Sequence, residues 1–184
     1  MKNSTAIRSD AAALKDVRCL ILLALFAAMS IVLGKLLSIT AGPIRISFEN
    51  LPILMAGILL GAPAGVVTGI LADVVGCLIV GYTINPIITV GAACIGMTAG
   101  LVYRLPLSSK EMPRIAAAVM SAHVLGSMII KSIGLMVYYQ YSIAMVLPRI
   151  PLYLAIGAAE SAIIVMLLKN RAFAEQIHRF HTTR

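Results

Sequence analysis

The sequence predicts an all-α integral membrane protein of six transmembrane helices with both termini cytoplasmic. Two observations predict it. The chain is 60% apolar with a mean hydropathy of +0.99, and its apolar runs exceed the ~20 residues that cross a ~30 Å hydrocarbon layer. Its basic residues also cluster as the positive-inside rule expects of cytoplasmic segments.

Of 15 Lys and Arg, four lie near the N-terminus (Lys2, Arg8, Lys15, Arg18) and four near the C-terminus (Lys169, Arg171, Arg179, Arg184). Three more, Arg104, Lys110 and Arg114, flank one internal loop. The net charge of +8 is therefore topological and is not a nucleic-acid footprint. Residues 1–17 read as a retained cytoplasmic tail, 18–170 as one helical domain and 171–184 as a basic tail. Cys19, Cys77 and Cys94 lie in apolar segments and form neither a disulfide framework nor a metal spacing. No cofactor or metal is implied.

The first span covers roughly residues 18–38 and leaves the cytoplasm. A second apolar segment runs to about Leu60, where "GAPAG" makes a turn. The third runs from about Gly65 to Val80, and the fourth from Pro86 to Tyr103 before the basic loop "RLPLSSKEMPR". The fifth runs from about Ile115 to Tyr139, and the sixth from the prolines of "VLPRIPLY" to about Leu168. An even number of crossings returns the C-terminus to its starting side, in agreement with the basic clusters.

The second segment is too short by ordinary measure. Pro52 is tolerated only in a first helical turn, with Asn50 a good cap just before it. A helix from about 50 to 60 rises only ~17 Å. Either the helix kinks at Pro52, or it starts at membrane depth. In the second case "GPIRISFEN" lines or lids a cavity on the outer face, because irregular backbone there must be buried or wet.

The charges outside the basic clusters are Lys35, Arg45, Lys131, Arg149, Glu49, Asp73 and Glu160. Ionised side chains inside a bilayer face a bundle interior or a cavity. Helical rise places Lys35, Lys131 and Arg149 at an outer level with Glu49, and Asp73, His123 and Glu160 nearer the inner half. Lys131 and Arg149 suit an anionic ligand, although Arg149 also has the length to snorkel to headgroups. Asp73, His123 and Glu160 serve equally well as buried polar pairs between helices.

Spacing organises these residues. Arg149, Tyr153, Gly157 and Glu160 form one helical stripe, and His123, Ser127, Lys131 and Gly134 another. Gly61, Gly65 and Gly69 form a ladder that continues to Asp73 and permits close helix approach. Tyr138 and Tyr153 belong to an outer aromatic group, suited to an interfacial belt or to stacking on a flat ligand. No phosphate loop, zinc-protease helix or nucleophile elbow is present. An ATP-driven process would need a partner for hydrolysis.

A small six-helix chain with Ala24 and Ala28 on helix one, "RISFENLPILMAGILLGAPAGVVTGILADVVG" at 45–76, and "NP" opening helix four resembles a known family. It is similar to the substrate-binding S components of energy-coupling factor (ECF) vitamin transporters, most of all the folate-specific branch. The resemblance implies a prokaryotic cell-membrane protein, not an enzyme, that captures folate in an outward-facing cavity capped by loops. It implies partners as well: a transmembrane coupling subunit and two ATPase subunits, with Ala24 and Ala28 carrying the docking. The two carboxylates of folate want Arg or Lys, which points to Arg45, Lys131 and Arg149. The N–H edge of its pterin wants a carboxylate, which points to Glu49 ahead of Asp73, with Asn50 and Asn85 on a polar rim. S components for thiamine, pantothenate or riboflavin, a membrane-embedded enzyme and a self-sufficient transporter are the competing readings.

Overall fold

The computed structural model describes residues 16–41, 44–108 and 110–170, with the backbone alone at 40, 41, 44 and 45. Both predicted tails lie almost wholly outside the described residues. Helix α1 (Val17–Ile31) opens on an Asp16 cap that accepts from the Arg18 amide, and its last turns widen into π geometry over Val32–Leu36. A hairpin of two three-residue strands follows, β1 (Ile39–Ala41) and β2 (Ile44–Ile46), with Thr40 opposite Arg45. The all-helical expectation is qualified only by this small antiparallel pair of strands.

Five further helices complete the bundle: α2 (Asn50–Leu60), α3 (Ala62–Val80), α4 (Pro86–Tyr103), α5 (Glu111–Tyr139) and α6 (Arg149–Lys169). A single turn, Ile143–Val146, precedes α6. Among the described residues five helices are long and apolar enough to cross a membrane, and α2, with 11 residues, is shorter. Five long helices and one short one agree with the expected shortness of the second segment.

Pro52 lies in the first turn of α2, so the helix starts at Asn50 and does not kink. Asn50 is not the cap. Glu49 occupies the cap position without a side-chain cap bond, and Asn50 spends its amide on Ser127 and Lys131 of α5.

Residues Asn50–Ile58 are all buried, so α2 is an internal rod touched by protein on every side. Ile53, Leu54, Met55 and Ile58 pack with Phe26 of α1, Ile95 of α4, Ile115 and Val119 of α5, and Ile164 of α6. The other helices expose apolar side chains outward: Leu20, Ile21 and Leu25 on α1, Leu78 and Ile79 on α3, Val90 on α4, Ile129 on α5 and Met166 on α6. Hydrocarbon solvates such a surface, so close packing rather than water exclusion holds the helices together.

Glycine sets that packing. Gly65 lies against the backbone of Gly96, Gly69 against Ala92, and Gly100 against Ala62 and Gly57. Main chain meets main chain along the α2–α3–α4 seam, where any Cβ collides with a carbonyl or an α-carbon. Gly61 has a different task from its two ladder partners. Its φ of 103° turns α2 into α3, a conformation that side chains rarely adopt.

Candidate functional site

A cavity of about 350 Å³ opens at the end of the bundle where the hairpin, the α3–α4 loop and the α5–α6 loop converge. That size falls within the range of small-molecule pockets. Three charged groupings line it, and helix geometry explains each.

The first is at the floor. Lys131 Nζ donates to Glu49 Oε1 at 3.0 Å and to Asn50 Oδ1 at 3.3 Å. Ser30 Oγ donates to the Glu49 carbonyl at 2.6 Å, which pins the start of α2 to α1. Two glycines make room. A methyl at Gly34 would lie 2.7 Å from Glu49 Cβ, and one at Gly91 would lie 2.7 Å from Lys131 Cγ. The backbone around Lys131 is wound in π geometry over His123–Ile130, and the Lys131 amide bonds the Gly126 carbonyl five residues back. Such insertions concentrate at functional sites because they re-aim the side chains that follow.

The second grouping is on α3. Asp73 Oδ2 accepts from Thr89 Oγ1 of α4 at 2.6 Å. Lys35 stands 3.9 Å from Cys77 Sγ and 6.0 Å from the Tyr82 ring centre, over a hollow left by Gly76. Asp73 lines the cavity although helical rise suggests an inner position. The opening reaches about two turns below the end of α3 at Val80.

The third is Arg149 at the start of α6. Its guanidinium lies over the Tyr153 ring, 5.2 Å from the centre, and Nη2 donates to the Tyr153 hydroxyl at 3.2 Å. Arg149 is only 9% exposed, and its Nε has no hydrogen-bond partner among the described residues. A buried guanidinium with an open donor is ready for a carboxylate.

The other predicted residues divide. Asn85 lines the cavity, but its side chain is occupied in capping α4. Oδ1 accepts from the amides of Ile87 and Ile88, and Nδ2 donates to the Gly134 carbonyl at 3.2 Å. Tyr138 is half exposed and does not line the cavity, whereas Tyr139 and Tyr141 do. Successive helical residues point about 100° apart, so only one of the paired tyrosines faces in. Arg45 has its backbone in β2, and its side chain lies outside the described residues. Ala24 and Ala28 are exposed on the outer face of α1.

Below the floor the stripes of α5 and α6 face one another. His123 Nε2 is 2.6 Å from Glu160 Oε2, both fully buried, and the His123 and Tyr153 rings lie 5.7 Å apart. Gly157 leaves the space that the imidazole occupies. His123, Gly157 and Glu160 sit beneath the cavity and do not line it, whereas Tyr153 does.

Sequence reasoning passed over Lys35, Cys77, Thr89 and Ser127 as site residues. Thr89 had a signal: it stands four residues after Asn85, on the same face of α4.

This arrangement is an apolar helical bundle with a charged cavity of small-molecule size at one end. Residues 18–169 match the family model described as "ECF transporter, substrate-specific component", and the chain belongs to that family. It is therefore an integral membrane component of a transporter and not an enzyme. No curated protein matches the chain. Among solved structures it is similar to FolT bound with folic acid, at 21% identity and a TM-score of 0.67, covering 80% of this chain and 90% of that one. It is also similar to the S component of a bacterial ECF transporter, at 18% identity and a TM-score of 0.64, covering 87% of this chain and 97% of that one. At those identities the likeness speaks for the fold.

Proposed function

We propose that this chain captures folate at the outer face of a prokaryotic membrane and delivers it inward through an ATP-driven coupling module. One observation carries the substrate reading: a single cavity offers a buried cation with an open donor, Arg149 Nε, together with two carboxylates, Glu49 and Asp73. Folate has the complementary distribution. Its glutamate tail presents carboxylates to Arg149, and its pterin presents a row of N–H donors that a carboxylate accepts in parallel. Tyr82, Tyr139 and Tyr141 supply flat apolar faces between them. The folic acid held by the FolT neighbour is in keeping with this chemistry.

The membrane arrangement follows. Five long helices and the protein-enclosed α2 make six crossings, with the basic segments cytoplasmic and the cavity outward. A short α2 is tolerated because no lipid reaches it. The transmembrane coupling subunit and two ATPases supply the energy, and Ala24 and Ala28, small and exposed on α1, give the coupling subunit a flat approach.

Calorimetric titration of ligand-depleted protein tests the substrate. Folic acid should bind stoichiometrically, and thiamine and pantothenate should give no heat. Tight binding of another vitamin with no folate heat would keep the transporter class and discard folate. Replacing the open cation, Arg149→Gln, should weaken folate at least tenfold, about 1.4 kcal/mol, with little change in ligand-free melting. Unchanged affinity would remove Arg149 from the site.

Ala28→Trp separates capture from coupling. Folate affinity should persist while uptake by the assembled complex in proteoliposomes is lost. Loss of affinity instead would mean that this face of α1 packs within the bundle.

A further inference from the structure

From the cavity floor a line of polar groups runs downward into the bundle, and the binding chemistry does not use its lower three members. It starts at Lys131 Nζ, passes Asn50 Oδ1 at 3.3 Å, then Asn50 Nδ2 to Ser127 Oγ at 3.5 Å and Ser127 Oγ to His123 Nδ1 at 3.2 Å. It ends where His123 Nε2 meets Glu160 Oε2 at 2.6 Å. All five residues are buried, and His123, Ser127 and Glu160 have no measurable exposure.

The chemistry of one end sets the direction of the whole line. An ammonium group only donates, so Asn50 must turn its carbonyl toward Lys131 and its amide toward Ser127. Ser127 accepts from that amide, which leaves its own hydroxyl proton for His123 Nδ1. With that proton given to Nδ1, the proton of a neutral imidazole sits on Nε2, and Nε2–H donates to Glu160. A carboxylate only accepts, so the far end agrees with the near one. The opposite tautomer would have both neighbours donating to Ser127, leaving its proton no place in the line.

We propose that His123 and Glu160 are positioning residues for the ligand site: acting through Ser127, they hold the Asn50 carbonyl on Lys131 and so keep the cavity floor in its binding arrangement. The role of the site rests on the folate reading; the direction of the line does not. Each link holds the next in place. With Glu160 absent, the imidazole is free to move its proton to Nδ1, Ser127 receives where it had donated, and Asn50 loses its reason to face Lys131 with oxygen. The π-wound stretch of α5 brings His123, Ser127 and Lys131 onto this one line.

A double-mutant cycle tests the transmission. Glu160→Met and Ser127→Ala should each weaken folate about tenfold. Combined they should weaken it no further, because each breaks the same line. Glu160→Gln keeps a carbonyl acceptor for Nε2–H and should bind nearly as the wild type does. Additive losses, or a Glu160→Met variant with lowered melting temperature and undiminished affinity, would overturn the proposal by making the pair purely structural.

A ligand-free measurement stands beside the cycle. The imidazole ¹⁵N shifts of His123 in the wild-type protein should report a neutral ring protonated at Nε2. A ring protonated at Nδ1, or an imidazolium, overturns the proposed direction whether or not folate binds. Wild-type protein that shows the expected tautomer but ignores folate would instead count against the substrate reading.

Discussion

Lys131→Met should lower folate affinity by about 100-fold, near 2.7 kcal/mol, and lower the ligand-free melting temperature as well. Lys131 is the hub of the cavity floor. It holds Glu49 from the loop before α2 and Asn50 from the first turn of α2, across 82 and 81 residues of chain. Removing it leaves a largely buried carboxylate without its ammonium partner, and breaking a buried pair from one side is more damaging than replacing both members. The companion variant, Glu49→Gln with Lys131→Met, should therefore recover much of the melting temperature. It should not recover folate affinity, because the ammonium and the carboxylate of the floor are both gone. Titration calorimetry and thermal unfolding of the two variants check this. Full affinity in the single variant would show that Lys131 is only a packing residue.

Gly96→Leu should prevent the bundle from assembling. A side chain at this position meets the Gly65 backbone, with Gly65 Cα only 2.6 Å from where its Cβ would stand. Overpacking a core typically costs ~1–3 kcal/mol when neighbouring side chains can shift. Here the obstacle is main chain, which cannot rotate away, so the cost should exceed that range. Loss of the monodisperse peak in detergent chromatography would be the expected result. A normally behaved, folate-binding variant would mean that α3 and α4 separate more easily than their glycine contacts suggest.

Much of the fold is legible in the sequence because bilayer physics leaves few choices. Long apolar runs must become helices, and the basic residues between them mark one side. The short α2 was readable from Pro52, which lies in its first turn. The β-hairpin was not, because three-residue strands leave almost no periodic signal. The facing of α5 and α6 could be read from spacing alone, since His123 and Glu160 lie on opposed stripes.

The site was less legible. Asn50 and Asn85 read alike as polar rim residues. Only three-dimensional contacts separate an amide that reaches Lys131 from one consumed in capping α4. Asp73 was judged by its depth along one helix, whereas a cavity is bounded by several. Tyr138 and Tyr139 are adjacent and chemically identical, and no sequence rule says which faces inward.

The glycines behind the charged groups have a consequence at the level of heredity. Gly34, Gly76, Gly91 and Gly157 back Glu49, Lys35, Lys131 and His123 in turn. Every single-base missense change in a glycine codon installs a residue with a Cβ, and each such change here thrusts carbon into a charged or imidazole side chain. These positions offer a lineage no small steps. Drift toward a different vitamin should instead travel through the wall residues Tyr82, Thr83, Tyr141 and Leu152, where a codon can change without displacing a charge.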